Sequence, residues 1–185
     1  MSEIDAEAGA RPSPVAVVVM GVAGAGKSTL ATALGERLNA VYIEADDLHS
    51  PEAKTQMAAG VPLTDEDRWP WLARVAGAAR DAFATGRPVV VACSALRRVY
   101  REALIRDSGL DLAFVHVHGS AEELAERIAR RIGHFMPASM LASQLATLEP
   151  LAADENGFVI SLALPIEEAV DAALESLGYD EWVIT

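Results

Sequence analysis

Val15-Ala16-Val17-Val18-Val19-Met20-Gly21-Val22-Ala23-Gly24-Ala25-Gly26-Lys27-Ser28-Thr29-Leu30 is the stretch that decides the fold. Its first six residues are continuously apolar, as in a strand buried on both faces. Gly21 to Ser28 then fits G-x-x-x-x-G-K-[ST] without a gap, and Leu30, Leu34 and Leu38 mark one face of a following helix. Strand, glycine turn and amphipathic helix form the context in which this motif cradles phosphate. Glycines let successive N–H groups face the oxygens, and the helix adds its positive N-terminal end. Gly21, Val22, Ala23, Gly24, Ala25, Gly26, Lys27, Ser28 and Thr29 are therefore the expected nucleotide ligands. Lys27 is expected to reach the β- and γ-phosphates of ATP as a catalytic group, and the Ser28 hydroxyl to ligate Mg²⁺.

Outward from this loop, short apolar runs alternate with helical stripes. Strand candidates cover residues 41–43, 89–93, 112–118 and 158–162. Residues 51–60 suit a short helix, and residues 61–67 a connection. Trp71, Val75, Ala79 and Phe83 stripe a helix that Gly86-Arg87-Pro88 stops. Ser94 is a candidate cap for a helix running to about Arg106. Ser120 with Glu123 forms a capping box, opening a helix that carries Leu124 and Ile128 inward. Pro137 suits the first turn of a helix bearing Leu141, Leu145 and Leu148, and Ile166, Val170, Leu174 and Leu177 stripe a last one. Strands alternating with helices predict an α/β domain with a parallel sheet covered on both faces. Residues 1–14 read as a disordered leader, 15–178 as one domain and 179–185 as a C-terminal tail.

A chain of 185 residues, 51% hydrophobic and 23% charged, is long enough for one domain with its own core. One cysteine, Cys93, excludes an internal disulfide and fits a reducing, cytoplasmic setting. No apolar stretch reaches the length of a membrane span, and the acidic, polar N-terminus does not read as a secretory signal. The net charge of −12 argues against nucleic acid or an anionic membrane as a partner. It is unevenly spread: residues 68–131 hold 11 Arg against 7 Asp and Glu, so the excess of acid lies elsewhere. That leaves room for a small anionic ligand held by a few arginines.

The third strand ends in Cys93-Ser94, without the acidic residue often found at such a position. Carboxylates instead follow the second strand, at Glu44, Asp46 and Asp47, which a parallel sheet places at its carboxyl edge beside the phosphate loop. There a carboxylate can accept a proton from a substrate hydroxyl, hold Mg²⁺ through water, or merely cap a helix. His116 and His118 alternate along a strand, but no third ligand joins them in sequence, so they read as ordinary sheet residues. Cys93 fills a strand end, and Trp69 and Trp71 read as packing around a helix start.

Four further segments carry a family likeness. Asp46-Asp47-Leu48-His49, the run from Met57 to Leu72 (MAAGVPLTDEDRWPWL), Cys93-Ser94-Ala95-Leu96-Arg97-Arg98 with Tyr100-Arg101, and Gly133-His134-Phe135-Met136 followed by Gln144 resemble the gluconate kinases. With the phosphate loop, the similarity runs from about Val17 to Glu155. The resemblance implies transfer of the γ-phosphoryl of ATP to the 6-hydroxyl of D-gluconate. It also implies a P-loop kinase fold, with a five-stranded parallel sheet flanked by helices and a mobile helical lid over about residues 120–140. Family members are often dimers, so a homodimer is expected.

On this resemblance Asp46 orients or deprotonates the attacking hydroxyl, and is a second candidate for Mg²⁺. Arg68, Arg97 and Arg101 are candidates for the gluconate carboxylate, Arg97 and Arg101 being i, i+4 on one helix face. A solvated basic face is the alternative for Arg97. His49, His134 and Gln144 are candidates for the polyol or for capping loops. Arg127 and Arg131, also i, i+4, are candidates for closing over the triphosphate, Arg131 as a catalytic group and Arg127 as a nucleotide ligand. Their alternative is pairing with Glu123 and Glu126. Glu44-Ala45 stands where the family usually has Asp-Gly, Ala53 replaces a common Asn, and Gln56 and Ile132 replace common lysines. Another small hydroxy acid such as shikimate is the alternative acceptor, and a non-catalytic ATP-binding switch is the alternative class.

Overall fold

Burial on both faces puts the first strand at the centre. In the computed structural model, which describes residues 15–130 and 138–179, β1 (Ala16–Met20) lies between β3 (Val89–Ala92) and β4 (Leu112–His118). β2 (Val41–Glu44) and β5 (Gly157–Ser161) form the edges, giving the order β2-β3-β1-β4-β5, with every pairing parallel. Val17 is in register with Val90 on one side and Ala113 on the other. A central strand with no solvent face needs side chains that are apolar at every position, and Ala16 to Met20 supply them.

The helices cover the two faces. α1 (Lys27–Leu38) and α7 (Ile166–Ser176) pack Leu30, Leu34, Val170 and Leu174 with Val17 and Val19. α3 (Asp65–Phe83) and α4 (Arg98–Ser108) pack Trp71, Val75, Tyr100 and Leu104 with Val18 and Met20 on the opposite face. α2 (Pro51–Ala58) follows a 3₁₀ turn, Ala45–Leu48. α5 (Ala121–Arg130) opens on the expected capping box: the Glu123 carboxylate accepts the Ser120 N–H at 2.7 Å, and Ser120 Oγ accepts the Glu123 N–H at 3.2 Å. α6 (Ala138–Thr147) buries Leu141. The five-stranded parallel sheet flanked by helices is thus as the sequence predicts. The start of the Pro137 helix, the segment 131–137 of the expected lid, the leader and the tail beyond Tyr179 lie outside the described residues.

Two helix starts differ from the sequence expectation. α3 begins at Asp65, inside the expected connection, because Thr64 and Asp67 cap each other reciprocally. It then runs through Pro70, which has no N–H to give back to the helix. α4 begins at Arg98 rather than behind Ser94. Ala95 holds a left-handed φ of 42°, which breaks any helix opened there, and the Ser94 carbonyl is taken by the Gly21 N–H. Ile166, expected inward, is 39% exposed at the first turn of α7.

The late start of α4 changes the reading of its arginines. Arg97 is the residue before the helix, so it shares no helix face with Arg101. The Arg101 side chain is 1% exposed. Its Nε and Nη2 donate to Glu155 at 2.5 and 2.9 Å, and Nη1 donates to the carbonyls of Ala95, Leu96 and Glu149. With its donors consumed, Arg101 ties α4 to the segment before β5 and has none to offer a substrate carboxylate. The bond to Arg101 holds the Glu155 carboxyl below the usual carboxylate range, so this clamp contributes above that range and is lost as pH falls through the Glu155 pKa.

Arg101→Leu leaves the Glu155 carboxylate nearly buried and unpaired, and is expected to cost about 3–5 kcal/mol in urea unfolding. Replacing both partners by apolar residues is expected to cost far less; equal losses would contradict the clamp.

Candidate active site

The phosphate loop leaves the sheet through a gap that admits no side chain. Gly21 has φ 141°, its N–H donates to the Ser94 carbonyl at 3.2 Å, and a Cβ there would lie 2.7 Å from the Val117 carbonyl oxygen. Gly24, at φ 82°, lies under α5, where a Cβ would come within 2.5 Å of Ile128 Cγ1. The loop is therefore walled by α5. Arg127 from that helix donates to the Ala25 carbonyl at 2.9 Å, which sets it beside the loop. Lys27 Nζ donates to the Val22 carbonyl at 3.2 Å. The Ala23 N–H donates to Gln144 Oε1 at 2.6 Å, so Gln144 from α6 sits on the phosphate loop.

The end of β2 meets the start of α1. Ser28 Oγ and Tyr42 Oη both donate to Glu44 Oε2 at 2.7 Å. Glu44, one of the departures from the family pattern, is thus the carboxylate in contact with the expected metal-ligating hydroxyl. Ser28, Glu44 and Asp46 are hard oxygen donors, the kind Mg²⁺ takes. Among the described residues, no group of three or more His, Cys, Asp or Glu could hold a metal, so a cation here would share its shell with phosphate and water. His116 and His118 stand with ring centroids 5.5 Å apart and belong to no such group.

Asp46 sits in the 3₁₀ turn after β2, its side chain largely exposed. Desolvation by the surrounding walls raises its pKa; the Lys27 charge opposes that rise, and Glu44 and Asp47 add to it. A carboxylate in this state is a better proton acceptor than one in free solution. His49 stacks on Trp71 with centroids 4.3 Å apart and planes 11° apart. Its side chain is 4% exposed, with Nε2 4.0 Å from Asp46 Oδ1 and Nδ1 buried without a partner. His49 therefore underpins the Asp46 turn from below, and its Nδ1 is closed to a polyol.

A cationic cluster gathers around Tyr100. Arg68 Nη1 donates to Tyr100 Oη at 2.8 Å, and Tyr100 Oη donates to Asp65 Oδ1 at 2.5 Å. Arg97 pairs with Asp65 at 2.5 Å and Glu149 at 3.6 Å. Both guanidinium groups stand 5.4 Å from the Tyr100 ring centre. Arg68 has a neutral acceptor where Arg97 has two carboxylates, so Arg68 retains more attraction for an anion. His134 and Arg131 lie outside the described residues.

A cleft of about 240 Å³ opens beyond the phosphate loop, lined by Gly26, Thr29, Arg127, Ser161, Leu162 and Leu164. The residues after β5 went unnoticed in the sequence, although the carboxyl end of an outer strand is where a parallel sheet binds ligands.

The family described as "AAA domain" matches residues 17–151. A gluconokinase of Gluconobacter oxydans is 46% identical over 177 residues, covering 96% of each chain. A gluconokinase of Sinorhizobium meliloti has a solved structure that superposes with a TM-score of 0.81 at 46% identity, covering 91% of this chain and 94% of that one. An unliganded sugar kinase of Janibacter gives 0.84 at 44% identity, covering 90% and 95%.

Two of the four histidines are held neutral by the fold. Burial, aided by Arg74, Lys54 and Arg68, pushes His49 down to about 4. Burial, aided by His118 and Arg101, does the same to His116, also to about 4. In the unfolded chain both titrate near ~6.5. The unfolded chain then binds the extra protons, so stability is expected to fall as pH drops from about 6.5 towards 4. The ring resonances of His49 and His116 should stay fixed between about pH 5.5 and 8; a midpoint near ~6.5 for either would contradict the assignment.

Proposed function

The chain belongs to the gluconokinase family, and from that membership we propose how its residues divide the work. It uses ATP to phosphorylate gluconate. In our reading the acceptor is the 6-hydroxyl and the products are 6-phospho-D-gluconate and ADP. The observation that carries this reading is the Ser28–Glu44 bond, which brings the end of β2, and the turn that holds Asp46, to the phosphate loop and within the field of Lys27.

The loop amides and Lys27 hold the β- and γ-phosphates, and Lys27 exchanges the Val22 carbonyl for phosphate oxygen when ATP enters. The adenine occupies the cleft between Arg127 and the Ser161–Leu164 segment. Arg68 meets the gluconate carboxylate, with Arg97 held beside it by Asp65. Asp46 accepts the proton of the attacking hydroxyl as its oxygen takes the phosphoryl group. Arg127 and Arg131 bring positive charge to the triphosphate from the lid side. Ser28 and Asp46 would hold Mg²⁺, with Glu44 fixing the Ser28 hydroxyl. When bound, that ion offsets charge on the β- and γ-oxygens.

The same proposal places the enzyme in the cytoplasm as a homodimer. The buried free thiol of Cys93, pushed up to about 12 by desolvation, suits a reducing compartment. No helix among the described residues is long and apolar enough to cross a membrane.

Purified chain with Mg-ATP should release ADP on addition of gluconate and not of shikimate. Lys27→Ala and Asp46→Asn are each expected to lower turnover about 1,000-fold with the fold intact. Arg68→Ala should raise the KM for gluconate about 10–100-fold and leave that for ATP nearly unchanged. The opposite split would move Arg68 out of the acceptor pocket.

A further inference from the structure

The turn that carries Asp46 is too short to hold itself. It is a four-residue 3₁₀ element, Ala45–Leu48, and such turns have few hydrogen bonds of their own and poor geometry in those. The Asp46 side chain is 75% exposed, and among the described residues no hydrogen bond reaches its carboxylate. Where that carboxylate lies is therefore decided by what grips the backbone on either side.

The grip comes from outside the turn. Trp71 Nε1, on α3, donates to the Ala45 carbonyl at 2.7 Å, and the two residues are 2% and 0% exposed. Arg74, three residues further along the same helix, donates from Nε to the Leu48 carbonyl at 2.8 Å. Lys54 of α2 donates to the Asp47 carbonyl at 2.9 Å. The Lys54 and Arg74 bonds are exposed and compete with water. The Trp71 bond is buried, so it is the one that water cannot replace.

The same side chain reaches the other end of the turn. Its ring face lies against His49, with centroids 4.3 Å apart and planes 11° apart. The stack keeps His49 in place although its Nδ1 is buried without a partner, an unfavourable state for a polar atom. Trp71 thus fixes residue 45 through its N–H and residue 49 through its face, and Asp46 lies between them. We propose that Trp71 is a positioning residue for Asp46: its indole N–H, held on the Ala45 carbonyl, sets the turn in the form that lets the Asp46 carboxylate take the proton of the acceptor hydroxyl. This rests on the reading of Asp46 as proton acceptor. Trp71 acts only through the turn, and its effect falls on the transfer step. A reacting group displaced by about 1 Å costs about 100-fold in rate, while phosphate binding at the loop is left as it was.

The test is a double-mutant cycle on kcat with W71F and D46N. Phenylalanine keeps a ring in the core and against His49 but has no N–H. W71F alone should lower kcat about 10–100-fold, with KM for ATP within about twofold of wild type. In the D46N background the same change should cost less than about threefold, because the group it positions is already gone. A purely structural tryptophan would cost the same factor in both backgrounds, and that result would overturn the proposal. So would a W71F enzyme as fast as wild type. If its melting curve shows W71F unfolded, the cycle is run with benzothienylalanine at position 71. That isostere keeps the shape of the indole with sulfur in place of N–H, and it should reproduce the loss. Full turnover with it would place the effect in packing and likewise overturn the proposal. D46N as fast as wild type, or wild-type protein without gluconate-dependent turnover, would remove the functional reading and the proposal with it, a result distinct from the others.

Discussion

The close approach at Gly21 is the constraint on which the site depends. β1 ends between two strands, with its next N–H bonded to the Ser94 carbonyl and the Val117 carbonyl across the space a side chain would need. Without a Cβ the chain can pass through this gap and turn out of the sheet, and Ala25 to Ser28 then wind into α1 above the strand ends. Glu44 from β2, Arg127 and Ile128 from α5, and Gln144 from α6 converge on the loop at that exit. A larger residue would push the loop away from β4 and separate Lys27 from Asp46. The fold positions catalysis by closing one gap rather than by building a rigid cage.

The acidity of the chain takes a different meaning once folded. Arginines that cluster between residues 68 and 131 are met by acids from outside that segment: Arg97 by Asp65 and Glu149, Arg98 by Asp154, Arg101 by Glu155. Much of the positive excess seen along the sequence is thereby neutralised in space. Arg68 and Arg127 bond to the neutral acceptors Tyr100 Oη and Ala25 O. Among the described residues neither forms a direct ion pair, so positive charge is kept locally on a protein that is acidic as a whole.

Strand order and the phosphate loop were legible because a doubly buried strand leaves a continuous apolar run and the loop motif has fixed spacing. The start of α4 was not: Ser94 is a good capping residue, but Ala95 takes a left-handed φ and the Ser94 carbonyl bonds to Gly21. The burial of Arg101 depends on Glu155, 54 positions away, and no local pattern announces it. Glu44 read as a departure from a motif, whereas the fold shows that its longer side chain reaches Ser28 and Tyr42 together. The Thr64–Asp67 cap could have been found; Asp in place of Glu or Gln at the third position concealed it. The cleft after β5 is assembled from three distant segments and leaves no contiguous signature.

The most direct measurement is the identity of the product. Purified chain incubated with gluconate and Mg-ATP should yield one phosphomonoester, equimolar with ADP, whose phosphorus couples in NMR to the two protons on C6 of gluconate. ADP formed alongside free phosphate alone, or a phosphorus coupled to any other carbon's proton, would contradict the arrangement of Asp46, Lys27 and Arg68 set out above.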